Sequence, residues 1–245
     1  MTWIKRIGIL LTWLVVLVGG ALALISSQSV REKRPLKGYE MQIQNPDNQA
    51  FLIEEDLADI LQQAGAPWDS VSRKEINIPM LEENLRKHPL VLGAEVFSTW
   101  EGVVRIEIVQ KEAKARVIND LEMMYVDQEG HLFPLSAHAS AAVPVISGVS
   151  DSTQRVKALR LLEQAAQHPA FPGGWTAVAR NEKGNYSAYP AWHPHRLDWG
   201  WPNEFEDKAH KAHALYAQLL QKKSLDSLEW MDVRFAGQVV YGFND

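Results

Sequence analysis

Between Ile7 and Ile25 the chain reads IGILLTWLVVLVGGALALI, with no charged side chain and Thr12 as its plainly polar residue. As a helix this run would be about 29 Å long, against a bilayer hydrocarbon thickness of about 30 Å, so the pattern predicts a membrane span over 7–25. A cleaved secretion signal is the alternative, because Ala21-Leu22-Ala23 has the small-x-small form of a cleavage site. Beyond a polar, basic stretch from Ser26 to Lys37 the periods shorten. Tyr39, Met41 and Ile43 alternate with polar residues and predict a strand. Ile53, Leu57, Ile60 and Leu61 fall on one helical face, and Glu54, Glu55 and Asp56 sit in the first turn, where the helix dipole favours acids. Gly65 and Pro67 end that helix, and Pro79 opens a second with Leu81 and Leu85 stacked one turn apart. After Pro89 come two strands, Leu90 to Phe97 and Val103 to Val109, around a turn at Thr99–Gly102. Strand, helix, helix, strand, strand makes a small module whose helices cover one face of its sheet.

After Lys114 the elements become shorter. Strands are predicted at 116–118, 123–126 and 131–133, with Asp127-Gln128-Glu129-Gly130 as a turn. Val143-Pro144-Val145-Ile146 reads as a strand placed at an edge by its proline. A helix over 153–168 would turn Val156, Leu159, Leu162 and Ala166 inward. A hairpin joins Trp175–Ala179 to Tyr186–Tyr189, and a last helix over 204–221 carries Phe205, Ala209, Ala212, Tyr216 and Leu219 at 3,4 spacing. The chain then closes on MDVRFAGQVVYGFND, in which Met231, Val233, Phe235, Val239 and Tyr241 alternate with polar positions across Ala236-Gly237. The predicted fold class is α+β: a single N-terminal transmembrane helix, a small βααββ domain, then a mostly antiparallel mixed sheet domain with two helices. Its segments are a tail (1–6), the span (7–25), a linker (26–37) and domains at 38–114 and 115–245.

Composition narrows the function classes. The net charge of −5, with no concentrated basic stripe, argues against nucleic acid as the main partner. There is no cysteine, hence no thiol or disulfide chemistry. No G-x-S-x-G, HExxH or phosphate-cradling glycine loop occurs, so no enzyme, cofactor or metal is assigned. His193 and His195, with Asp198 and the more distant His210 and His213, are the candidate metal ligands, in a stretch broken by Pro190, Pro194 and Pro202. Trp192, Trp199 and Trp201 suit either lids over a core or platforms for sugar stacking. The residues therefore point to an anchored envelope protein presenting binding surfaces, with a ligand- or glycan-binding module as the alternative.

Leu85-Arg86-Lys87-His88-Pro89 leads into a strand, Trp100 stands in the following hairpin, and Val104-Arg105-Ile106-Glu107-Ile108 completes it. Together with Val126 to Phe133, Val143 to Gly148 and Leu197-Asp198-Trp199-Gly200, in this order behind one span, the chain resembles the bacterial cell-division family FtsQ/DivIB. Its small module resembles a polypeptide-transport-associated (POTRA) domain. Glu101 and Lys111-Glu112-Ala113-Lys114-Ala115 depart from the family pattern, as in a divergent branch. The resemblance implies a cytoplasmic tail, a single-pass location in the cell inner membrane, and main domains in the periplasm. It also implies a non-enzymatic divisome scaffold that recruits FtsB- and FtsL-type partners and regulates septal wall synthesis. The partner strand would add at the C-terminal edge, where the matching residues are Phe235, Gly237, Val239, Val240, Tyr241 and Gly242. Family hairpins there imply two strands, about 230–235 and 238–243, with Tyr241 either an anchor for the partner or a core residue.

Overall fold

The structure, a computed structural model, describes residues 13–14, 16–21, 36–46, 49–68, 71–119 and 122–244. The chain divides into two compact units, Met1–Gln44 with Ile53–Val109 and Asn45–Leu52 with Gln110–Asp245.

The first unit is built on three strands, β1 (Tyr39–Gln44), β2 (Val91–Ser98) and β3 (Val104–Gln110), in the order β1-β3-β2 with β1 parallel to β3. Two short helices follow β1. A 3₁₀ turn, Glu54–Leu57, leads into α1 (Ala58–Gln63), and Asn77 caps α2 (Ile78–Arg86) by accepting from the Met80 amide at 3.1 Å. That cap satisfies one of the amides a helix start leaves unpaired. Leu57, Leu61, Leu81 and Leu85 are buried with Val104, Ile106 and Ile108, which are the inward positions of a strictly alternating strand.

The second unit carries a nine-stranded sheet. Its strands are β4 (Ala115–Ile118), β5 (Met123–Val126), β6 (Leu132–Phe133), β7 (Val145–Ser147), β8 (Trp175–Arg180), β9 (Tyr186–Pro190), β10 (Arg196–Gly200), β11 (Leu228–Asp232) and β12 (Val240–Phe243). They lie in the order β12-β11-β10-β9-β8-β7-β4-β5-β6. Parallel neighbours need a crossover connection. Helix α3 (Ser152–Gln167) supplies one between β7 and β8, and α4 (Phe205–Gln221) supplies another between β10 and β11. Both helices bury their apolar stripes in one core with Trp175, Val178, Leu197, Trp199 and Met231. Asn45–Leu52 belongs to this unit: Phe51 stacks on Tyr125 at 5.0 Å, and buried Gln110 accepts from the amides of Phe51 and Leu52 at 3.1 and 3.2 Å.

Several expectations are corrected. Among the described residues no helix is long and apolar enough to cross a membrane. Within the predicted span over 7–25 only 13–14 and 16–21 are described, as helix; the rest lies outside the described residues. The transmembrane assignment, the lipid contact through 7–25 and the single-pass inner-membrane location rested on that span and fall with it. The larger unit has a 3₁₀ turn at Leu225–Ser227 beyond the two helices expected of it, so the described residues hold more helices than the fold class allowed. Strand β7 is interior, between β4 and β8, because Pro144 precedes the strand and contributes only its carbonyl, which accepts from the Arg116 amide at 2.8 Å. The inward stripe of α3 is Ala158, Leu161, Leu162 and Ala165, while Ala166 is exposed.

Candidate partner-binding edge

Strands β11 and β12 form an antiparallel hairpin that ends the large sheet. Val240, Tyr241 and Gly242 lie on β12, Val239 just before it, and Phe235 and Gly237 in the loop over 233–239. Gly237 has a φ of 68° with open space around its α-carbon, the left-handed turn conformation glycine adopts without strain. The loop is held at its β11 end. Arg234 donates from Nε and Nη2 to the Asp232 carboxylate at 2.9 and 2.5 Å, its amide adds a third bond at 3.0 Å, and Lys211 Nζ on α4 donates to the Phe235 carbonyl at 2.9 Å. Burial works to raise the Asp232 pKa, but the Arg234 hydrogen bonds and charge outweigh it and hold the carboxyl below its ordinary range.

The direction of the backbone groups follows from two bonds. The Val233 amide donates to the Asp198 carbonyl on β10 at 3.2 Å, so Val233 and Met231 aim their main chain at β10 while Trp230 and Asp232 aim theirs at β12. Their register partners, Gly242 and Val240, therefore bond inward. From the other end, the Asn244 amide donates to the Ser227 carbonyl at 2.9 Å, which gives 240, 242 and 244 the same sense. Tyr241 and Phe243 turn their N–H and C=O groups outward, and β12 has no strand on that side among the described residues.

Side chains divide the edge into two faces. Tyr241 is half-buried against the domain core together with Val239, and its ring meets Phe243 edge-on at 5.4 Å. Phe243 is 42% exposed, Val240 40% and Phe235 45%, an apolar rim along the hairpin. On the opposite face Gly242 lies beneath the Trp230 indole, and a Cβ added there would collide with it. Phe243 and Trp230 were missed from the sequence. The i,i+2 alternation from Tyr241 carries the signal for Phe243; the stacking of Trp230 on a glycine leaves none.

The remaining candidates separate in space. His193 Nδ1 and His195 Nδ1 are 3.0 Å apart, and His195 Nε2 is 2.9 Å from the Tyr216 hydroxyl. Burial and the neighbouring His193 push the His195 pKa down to about 4, and burial raises that of Tyr216. Asp198 is engaged by Arg196 and Ser187, while His210 lies beside His168, with rings 6.1 Å apart. Asp127, Glu129 and His131 bring ligand atoms within 4.8 Å of one another, but Asp127 accepts the His131 amide at 2.7 Å and so shapes the β5–β6 turn. Trp199 is fully buried and Trp201 is 62% exposed.

Residues 113–241 match the family model described as FtsQ/DivIB, C-terminal related, and residues 37–109 match the POTRA-like domain model. No curated protein matches the chain. One similar solved structure is the major extracytoplasmic domain of the trans isomer of the bacterial cell division protein DivIB from Geobacillus stearothermophilus. It is 18% identical, with 46% of this chain and 96% of that one covered and a TM-score of 0.30. With a C-terminal match over more than half its length, behind a POTRA-like domain, the chain belongs to the FtsQ/DivIB family of non-enzymatic cell-division scaffolds.

Proposed function

We propose that β12 is a docking edge for an extended segment of an FtsB- or FtsL-type division protein, through which this scaffold recruits partners that regulate septal wall synthesis. The observation that carries this is the outward, unpaired main chain of Tyr241 and Phe243 on a strand rimmed by exposed apolar side chains. An incoming strand gains backbone hydrogen bonds there, and alternate side chains would meet the Tyr241–Phe243 face or the Val240–Trp230 face. The half-burial of Tyr241 favours a shared role, in which one side of its ring packs in the domain and the rest meets the partner.

The test is co-purification of the protein with candidate partners, comparing wild type with Tyr241→Glu. Weakened capture by a folded variant supports the edge. Unchanged capture rejects it, and unfolding assigns Tyr241 to the core.

A second reading, a glycan-binding module, is favoured by one observation. A groove of about 800 Å³ over β8–β11 is lined by Tyr189, Trp192, Arg196, Glu229 and Trp230, aromatic faces beside polar groups. Specific retention of the protein by isolated envelope glycan, lost in Tyr189→Ala, would select that function.

A further inference from the structure

Pro194 fixes the backbone between two histidines, and the His195 amide donates to the His193 carbonyl at 2.9 Å, closing a three-residue turn. The turn puts both imidazoles on one side of the chain, with Nδ1 atoms 3.0 Å apart. His195 is 2% exposed, and its other nitrogen is fixed by the Tyr216 hydroxyl on α4. An outer partner of this kind sets the tautomer and orientation of a ligating imidazole. His193 and His195 both line the groove that contains Glu229.

We propose that His193 and His195 form a bidentate site for a divalent transition-metal ion, copper or nickel in preference to zinc, at the wall of this groove. At metal–nitrogen bonds of about 2.05 Å, two nitrogens 3.0 Å apart subtend about 94° at a shared ion. That angle fits the right-angled positions of square-planar or octahedral ions, whereas a tetrahedral zinc site prefers a wider one. Both rings bind in the neutral form. His195 keeps its proton on Nε2, directed at Tyr216, and His193 moves its proton to Nε2, so both Nδ1 lone pairs become free. Each lone pair must then turn roughly 40° off the line between the two nitrogens to meet on the ion. Water entering from the groove completes the coordination.

The test titrates Cu²⁺ and Ni²⁺ into the full chain by calorimetry and records the nitrogen couplings of bound Cu²⁺ by electron paramagnetic resonance. Wild type should bind one ion with two imidazole couplings. His193→Ala, which leaves the His195–Tyr216 bond in place, should weaken binding at least 10-fold and remove one coupling. Pro194→Gly, which only loosens the turn, should weaken it less. His213→Ala, at an exposed histidine, should change nothing. Should circular dichroism show that His193→Ala perturbs the fold, His193→Gln is scored in its place. Absence of saturable binding overturns the proposal, as does His193→Ala binding like wild type or an equal loss in His213→Ala.

Discussion

Strand β2 ends the small sheet with helix side chains bonded to two of its backbone groups. Glu82 on α2 accepts from the Val96 amide at 2.8 Å, and Arg86 on the same helix donates to the Ala94 carbonyl at 2.6 Å. Strand β12 ends the large sheet with the main chain of Tyr241 and Phe243 open and apolar side chains at its rim. Exposed edges template unwanted pairing, and proteins blunt them with charges or cover. Here one edge is closed by two helix side chains one turn apart, while the other is left available, held by its loop and its packing on Trp230. The two edges thus differ in what meets their backbone: helix side chains at Ala94 and Val96 of β2, and no strand among the described residues on the outer side of β12.

The comparison can be broken or sharpened by experiment. The largest effect is expected in acid. His195 is held neutral with a folded pKa of about 4, below its unfolded value near 6.5, so the unfolded chain takes up the proton first. The groups that face it are His193, Trp192 and Tyr216. The resulting stability is present above pH 6.5 and lost as pH falls toward 4, by about 3 kcal/mol. Urea melts in chelator across that range, monitored on the β11–β12 unit, should show this slope, and His195→Gln should flatten it. In the first unit burial also lowers the pKa of His88, but that ring is only half-buried and its unit should lose less.

Next, Gly242→Val should drive β12 away from Trp230, at a cost of about 1–3 kcal/mol. Hydrogen exchange over 240–243 would report it, with partner capture lost. Removing both guards of the closed edge, Glu82→Ala with Arg86→Ala, should cost about 1–2 kcal/mol. It should also promote self-association in size-exclusion runs, which single surface changes elsewhere would not. The smallest stability change, under about 1 kcal/mol, is expected for Phe243→Pro, which removes an outward N–H and leaves the ladder to β11 intact. Partner capture should nonetheless fall at least 10-fold. If it does not, the outward main chain is not what the partner reads.

How much of this was legible depended on whether a pattern had one cause. Phe205, Ala209, Ala212, Tyr216 and Leu219 predicted the buried face of α4 because nothing but the core explains that spacing. In α3 two apolar stripes compete, and only packing selects Ala158, Leu161, Leu162 and Ala165. The alternation from Met231 to Tyr241 runs through the loop because Val233 is buried by the core and Phe235 lies beside the Arg234 guanidinium at 5.9 Å, two local causes that imitate a strand. The free edge was legible as a terminal strand. Which residues face outward was not, because that depends on the register of β11 and its bulge between Leu228 and Trp230. The guards of β2 were equally hidden, since Glu82 and Arg86 read as an ordinary solvent-facing pair one helical turn apart.

The shortness of β12 has a consequence for timing. With four residues and two facing out, any strand docking there makes at most about four main-chain hydrogen bonds, each contributing roughly 0.5–1.5 kcal/mol before the cost of ordering the segment. Such a contact dissociates readily when met from dilute solution. It becomes persistent when a second attachment confines the two chains together and raises the effective concentration into the millimolar range. An edge of this length would therefore act as a coincidence detector, engaged only where its partner has already been gathered by other means.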